Sequence, residues 1–554
     1  MQHLRRGSML MLLITSLCPF SNIRAQEQSV DYQSALGGNR QEYLFDAIPT
    51  LDSGFLIAGS TSSNRTGNMN QANNGDLDYW VCKMDANNNL IWQKSYGGSN
   101  MDLLQSVKAT SDGGYILAGI SSSCKTGDKI HVCQGSTDYW IVKIDSGGAI
   151  QWQNTIGGNG QEKLSSIVQT TDGGYAIAGS SSSPKSKADV NGNIAANLKK
   201  EASRGGLDFW MVKLDAGGHV TWQKTLGGKF QDELKVIQPL ANNEYLLGGY
   251  SNSTQSGDKN TNPIGLGDYW ILKVNGTGEI IWQQTLGGTG DDVLVSLIRT
   301  HDGGFVIGGN SGQETNGTGN RAAKNSNKSK ANTQGSDFWL VKLDAEGTTD
   351  WQETYNFGSK DVLSSMTETA DGKILLGGFA QSELKDNGKG VRISKEKEGI
   401  NDYIALEIDP KGKELWSQAV GSRGDEVLKK VIPTEDGGYL LAGTSNGEKS
   451  RDKNNKIGGN DYWVVKLKNT KKEKIEKILS AYPNPTMNVT NVSIDFEYER
   501  GTATLYDISG RQLLVKELKG EAEIPFNLTN LPQGVYLINV STNNGTQAVK
   551  ILKK

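Results

Sequence analysis

The chain has 554 residues, enough for several domains, and its 58 Lys plus Arg nearly balance 61 Asp plus Glu. That balance excludes a bulk charge attraction to nucleic acid or an anionic membrane as the organising theme. With 69 Gly, only 11 Pro and 36% apolar residues, the composition suits short strands and tight turns rather than long helices.

At the N-terminus, Arg5 and Arg6 precede an apolar run from Met9 to Leu17 and small residues ending at Ala25. This pattern reads as a secretory signal peptide over residues 1–25. The run is too short for a membrane-spanning helix. Cys18 would suit a lipid anchor, but bulky Leu17 occupies the position where such a site needs a small residue. No later stretch is apolar enough to span a bilayer, so the sequence predicts export with no transmembrane segment.

From residue 37 a unit recurs seven times, starting near Gly37, Gly97, Gly157, Gly227, Gly287, Asn356 and Gly421 at spacings of 60 to 70 residues. Each unit holds four strand signals, here called a to d. In the second they read "LQSVKAT", "GYILAGIS", "DYWIVKID" and "AIQWQNTI". They are rich in β-branched and aromatic residues and are divided by Gly/Asp turns, where glycine supplies the positive φ a hairpin needs. Four antiparallel strands per repeat predict an all-β fold, a seven-bladed β-propeller. The twelve tryptophans all fall at two repeat positions: Trp80, Trp140, Trp210, Trp270, Trp339 and Trp463 on strand c, and Trp92, Trp152, Trp222, Trp282, Trp351 and Trp416 on strand d. A fixed aromatic register in every unit points to packing between sheets rather than to sugar stacking.

The seventh unit ends at its strand c, while the N-terminus offers a strand d, "SVDYQSAL", with Tyr32 in the tryptophan slot and Gln33 matching the Gln of "WQ". Pairing the two completes the seventh blade and leaves no unpaired edge. The expected domains are a propeller over 26–468, a Lys/Glu linker over 469–477 and a second domain over 478–554.

One carboxylate enters strand a in every unit: Glu42, Asp102, Glu162, Asp232, Asp292, Asp361 and Glu426. Two readings apply, an acidic ring at a channel mouth that could take a cation, or acceptors for the amides of their own "GG" links. The b–c and d–a connections carry the variable loops, among them Ser182–Gly206 and Gln313–Ser336. Variable loops on a rigid scaffold are where binding concentrates. Their lysines and arginines, including Lys185, Lys187, Lys199, Lys200, Arg204, Arg321, Lys324, Lys328, Lys330, Lys449, Arg451, Lys453 and Lys456, read as a solvated rim. Cys124 and Cys133 in one loop are disulfide candidates for an exported chain, and Cys82 reads as a buried thiol.

No metal spacing, phosphate loop or credible catalytic constellation is present. "GTSNG" at 443–447 matches a nucleophile-elbow pattern but has no helix after it. "DVNGN" at 189–193 begins like a calcium loop but has Ile194 at the sixth position and Lys200 at the twelfth. The sequence therefore calls for no cofactor, with looser calcium ligation by loop Asp and Asn left open, and nothing in it argues for an enzyme.

Residues 478–554 abandon the repeat for short alternating strands that suit a small immunoglobulin-like β-sandwich. "AYPNP", "LYDISGR", "LPQGVYLINV" and "AVKILKK" follow one another in order. With these motifs the segment resembles the C-terminal sorting domain of type IX secretion cargo of Bacteroidota. The resemblance implies passage from the periplasm across the outer membrane, the secretion machinery as a partner, and a secreted or surface-held product. The matching positions are Tyr482, Pro483, Asn484, Pro485, Gly510, Arg511, Gly534, Tyr536 and Lys550. The expected function is a secreted, monomeric binding module that engages a glycan or protein through its b–c and d–a loops. The alternatives are a polysaccharide-active propeller enzyme using the strand-a carboxylates, or a structural, adhesive surface protein.

Overall fold

The computed structural model describes residues 28–313, 328, 335–381, 401–469, 479–494, 498–543 and 545–554. The signal-peptide reading over 1–25, most of the Gln313–Ser336 loop and nearly all of the linker lie outside the described residues. The described chain is almost entirely β, its single helical element being the short 3-10 turn Ala241–Asn243. No described helix is long and apolar enough to cross a membrane. The chain divides into two compact units, residues 1–469 and 470–554.

In the first unit each repeat folds into one antiparallel four-stranded sheet in the order a-b-c-d. Sheet 1 comprises Glu42–Pro49, Phe55–Thr61, Asp78–Met84 and Leu90–Tyr96. A bulge interrupts strand a two residues after its first carboxylate in each sheet, as between Leu44 and Asp46. Isolated parallel bridges such as Leu77–Met101 and Thr137–Gln161 tie the approach to strand c to the approach to the next strand a. At Ser336–Lys360 the same bridge falls inside named strands and joins the fifth and sixth sheets into one of eight strands.

The seventh sheet draws strands from distant parts of the chain. Gln28–Leu36 pairs antiparallel with Asp461–Asn469, beside Tyr439–Ser445 and Glu426–Pro433. Gln33 Oε1 accepts the Trp463 indole N–H at 2.8 Å, as Gln93 accepts that of Trp80 at 3.1 Å within sheet 1. Strand a of each sheet packs on strand a of the next, and that of the seventh on that of the first.

Sheets are joined by one repeated aromatic contact. The Tyr79 ring lies 4.8 Å from that of Trp140 in the following sheet, and its hydroxyl donates to the Trp140 carbonyl at 3.1 Å. Tyr462 of the seventh sheet does the same to Trp80 of the first, at 4.6 Å and 3.0 Å. The strand-c tryptophans are fully buried and centre these cores. Glycine makes the contact feasible: a Cβ at Gly119 would collide with the Leu103 carbonyl and sit 2.6 Å from Tyr79 Oη.

Strand-d tryptophans show what the split seventh sheet requires. Trp92 and Trp351 donate their indole N–H to Ser146 and Pro410, carbonyls in the c–d turn of the following sheet. After the sixth sheet no such turn exists, because strands c and d of the seventh are not consecutive. Trp416 instead donates to Glu407 at 3.0 Å, and Glu407 also accepts Tyr439 Oη at 2.7 Å. Glu407 stands where the other sheets carry Lys83, Lys143, Lys213, Lys273, Lys342 and Lys466. An anionic acceptor replaces a cation at the one place where the backbone acceptor is missing.

The second unit has a three-stranded sheet, Leu479–Tyr482, Val489–Ile494 and Glu523–Asn527, and a four-stranded one, Gln512–Leu518, Gly501–Asp507, Gly534–Thr542 and Gly545–Lys553. Val492, Leu505, Phe526, Ile538 and Ile551 form its core.

Candidate functional site

The strand-a carboxylates are fully buried in all seven sheets. Each accepts the backbone amide four residues upstream, in the link that turns the chain into strand a: Gly38, Gly98, Gly158, Gly228, Gly288, Phe357 and Ser422 donate at 2.6 to 3.4 Å. Several also accept side-chain hydroxyls, Asp102 that of Ser123 at 2.9 Å and Asp232 that of Ser253 at 2.8 Å. Both Glu162 and Glu426 also accept two serine hydroxyls, Ser181 and Ser183 in one case and Ser422 and Ser445 in the other. These carboxylates thus face amides and hydroxyls at the sheet junctions rather than solvent.

A second buried acid stands at the start of strand c: Asp78, Asp138, Asp208, Asp268, Asp337, Asp402 and Asp461. Each faces the strand-a acid of the next sheet. Burial, with the neighbouring Asp102 charge, pushes Asp78 up to about 7. Burial with the charge of Asp292 does the same to Asp268, and with that of Glu426 to Asp402. Seven junctions therefore each hold two carboxyls taken out of water, which must be neutralised by protons or cations.

Cations are supplied from the b–c loops. Lys129, Lys199, Lys259, Lys328 and Lys453 are buried, although polar loops suggested solvated side chains for three of them. The ammonium groups of Lys199, Lys259, Lys328 and Lys453 lie 5.1 to 6.0 Å from the strand-c tryptophan ring of their own sheet. Lys129 donates to Ser121 Oγ and the Ser123 carbonyl, each at 2.7 Å. Lys328 lies 3.6 Å from Asp292, and Lys453 3.9 Å from Asp461. Sheet 1 has buried Met69 at this position, so Asp78 lacks a lysine of its own. The sequence did carry a signal: "TGDK" at 126–129 and "SGDK" at 256–259 align with "TGNM" at 66–69, and a lysine that alternates with methionine marks a buried stem.

A direct test follows. Replacing Lys259, whose burial lowers it to about 8 against the attraction of Asp232 and Asp268, by methionine should cost about 3 kcal/mol at pH 7, where the ammonium is still mostly charged. At pH 5 Asp268 is protonated, so the loss should be much smaller. Urea denaturation of K259M at both pH values decides it; equal losses would show that the ammonium does not serve as counter-charge.

The other sequence-derived positions are spread apart. Cys124 and Cys133 are joined in a disulfide within the b–c loop of the second sheet. Cys82 is a buried free thiol pushed well up by burial. Asp189 accepts the amides of Asn191 and Asn193, each at 2.8 Å, closing its own turn. Among the described residues no group of three or more His, Cys, Asp or Glu side chains is placed to hold a metal ion.

In the second unit most motif residues set the fold. Asn484 ties the chain to the last strand, donating to the Lys550 carbonyl at 2.6 Å and accepting the Leu552 amide at 2.8 Å. Pro483 and Pro485 follow cis peptide bonds. Gly510, at φ 82°, completes the turn in which Arg511 Nε pairs with Asp507 at 3.0 Å. Tyr536 is buried and donates its hydroxyl to the Pro532 carbonyl at 2.7 Å. Gly534 opens its strand in extended backbone, Tyr482 is exposed with its hydroxyl on Glu523, and the Lys550 side chain is exposed. The structure singles out Lys553 instead, whose buried ammonium donates to the carbonyls of Leu528, Thr529 and Leu531.

Residues 480–554 match the family model described as the secretion system C-terminal sorting domain. The chain carries a sorting domain of type IX secretion cargo. Such a domain directs its protein out of the cell, to the surface or the extracellular space. The remaining likenesses are distant. A regulatory protein, FlaEY, of Caulobacter vibrioides is 23% identical over 224 residues, 39% of this chain and 23% of that protein, so the match spans about a quarter of that relative's length. Among solved structures, a fungal alcohol oxidase in complex with copper is 11% identical with a TM-score of 0.40, covering 96% of this chain and all of that one. An apocarotenoid oxygenase of Synechocystis is 9% identical with a TM-score of 0.38, covering 89% and 97%. These values transfer no activity to this chain.

Proposed function

We propose that residues 28–469 form a seven-bladed β-propeller closed by the N-terminal strand, and that this propeller is a binding module displayed outside the cell. Support for the closure comes from the shared contacts: Gln33 on Trp463 and Tyr462 on Trp80 repeat, across the chain's two ends, bonds found within and between consecutive sheets. The signal-peptide sequence, an origin in Bacteroidota and delivery through the type IX machinery belong to the same reading. The binding surface is the face of the b–c and d–a loops, where sequence and length vary most between repeats.

The observation that carries this reading is the sorting domain at 480–554. In the source bacterium, an epitope-tagged chain ending at Asn469 should fall at least tenfold in surface or medium protein while its periplasmic level rises. Delivery at the full-length level would overturn the assignment of residues 480–554 as the export signal. For the module, a glycan array and a hydrolysis and lyase screen run on the same full-length protein separate binding from turnover. Binding without turnover is the expected outcome; turnover would make it an enzyme.

A further inference from the structure

The inner strands hold charges that neither the junction acids nor the sorting domain uses. Between their ends, the seven a strands carry five lysines, Lys108, Lys163, Lys235, Lys429 and Lys430, but only two carboxylates besides the junction acids, Asp46 and Glu233. All five lysines are half-buried. The charge is one-sided, because the a strands of the fifth and sixth sheets present Val293, Val295 and Val362 at positions of similar exposure.

The two acids are each shared by two ammonium groups. Asp46 Oδ2 accepts Lys108 Nζ at 3.1 Å and the Val107 amide at 3.0 Å, while Asp46 Oδ1 lies 3.5 Å from Lys430 Nζ. Glu233 takes Lys163 at 3.3 Å and Lys235 at 2.7 Å. Lys429, next to Lys430 at the bulge, has no carboxylate partner among the described residues. Its ammonium lies 5.7 Å from the ring of Phe45, the neighbour of Asp46. Burial lowers both Lys429 and Lys108 from the ordinary lysine value. Two ammonium groups thus flank one carboxylate where the a strands of the seventh, first and second sheets meet, and a third, that of Lys429, lies by the ring of the adjoining Phe45, leaving a local excess of positive charge in a partly dehydrated place. An anion there would recover Coulomb energy that water supplies only in part.

We infer that Lys108 and Lys430 on Asp46, together with Lys429 beside Phe45, form a binding site for an oxyanion, either a small free anion or the carboxylate or sulfate of an acidic sugar. Phe45 and the half-buried Tyr43 beside it would take the apolar face of a sugar ring. The inference deepens the proposed binding function and rests on it in one respect, that the a strands line an accessible channel. The Asp46 cluster itself needs only the contacts between the seventh, first and second sheets.

The test uses the full-length mature protein at fixed ionic strength. Isothermal titration with inorganic sulfate and, separately, with a sulfated hexasaccharide distinguishes the two sources. Wild-type protein should bind at least one of the two. The substitutions K429M and K430Q should each weaken that binding about tenfold or more. K94M, which alters a lysine on an outer strand of the first sheet, should leave it unchanged. Circular dichroism and urea denaturation report whether each variant is folded. Absence of binding to folded wild-type protein overturns the site, as does equal binding by K429M. Neither result touches closure of the propeller, which the strand deletion below tests without any anion.

Discussion

Deleting residues 28–36 should destabilise the whole first unit rather than trim one edge. Leu36 and Ala35 are each 6% exposed, and Leu36 lies in a core shared between the seventh and first sheets, against which Tyr32 packs. Full burial of one leucine contributes about 1.5–3 kcal/mol. The Gln33–Trp463 hydrogen bond adds about 1 kcal/mol, and its loss leaves the indole N–H of a fully buried ring unpaired. With Tyr32, the strand accounts for about 5 kcal/mol, comparable to the net stability of many domains. Its removal would also bare the edge of Asp461–Asn469, an invitation to intermolecular pairing. The deletion variant should therefore show a urea midpoint far below wild type and concentration-dependent aggregation. A synthetic peptide of residues 28–36 added in trans should restore part of the loss. An unchanged midpoint would show that the strand is an appendage and the closed reading wrong.

How far the sequence reveals this architecture depends on whether a feature repeats. The strand-c tryptophan, its glutamine partner and the strand-a carboxylate occur at one register in nearly every unit, so their places can be read from the chain alone. The match of Tyr32 and Gln33 to that register exposes the role of the N-terminal strand. Features that break the repeat are harder. Glu407 looks like an isolated substitution until one sees that the sheet after it has no c–d turn to receive Trp416. Lys199, Lys328 and Lys453 sit in polar loops and read as solvated, because loop composition says nothing of a side chain that threads back between sheets. The strand-c acids are visible as the Asp of "DYW", but their pairing with the next strand-a acid depends on the packing of one sheet on another. Lys429 and Lys430 lie on a strand whose bulge shifts the alternation of sides, so no period-two reading of "VLKKVIP" brings Lys430 to Asp46 and Lys429 to Phe45.

The paired junction acids set an unusual dependence of stability on pH. Burial raises Asp78, Asp268, Asp361 and Asp402 to about 7, and Asp208 and Asp337 to about 6. In an unfolded chain these groups titrate near 4. Between those values the folded protein holds protons that the unfolded chain releases, so stability falls as pH rises from about 4 to about 7. A tenfold change in proton affinity on folding is worth about 1.4 kcal/mol, and because neighbouring acids interact, the losses belong to junctions rather than to single residues. Exposed carboxylates act in the opposite sense over a lower range. Asp52 is held down to about 2 by hydrogen bonds from Lys83 and Thr50, and Asp172 to about 2 by Thr170 and Lys213. Their contribution is present above about 4 and is lost toward pH 2. The two sets together place maximum stability on the acid side of neutrality, near pH 4 to 5. Asp78 offers the sharpest variant, since Met69 leaves it without a lysine. D78N removes the charge while keeping an acceptor for the Asn74 amide, which Asp78 takes at 2.6 Å, and its new N–H groups can donate toward Asp102. It should stabilise the protein by about 2 kcal/mol at pH 8, a gain set by the raised pKa, and change little at pH 4. Urea denaturation of both proteins from pH 4 to 9 measures this. A wild-type stability that stays level or rises from pH 4 to 7, or a D78N variant weaker than wild type at pH 8, would mean that the junctions hold their acids ionised.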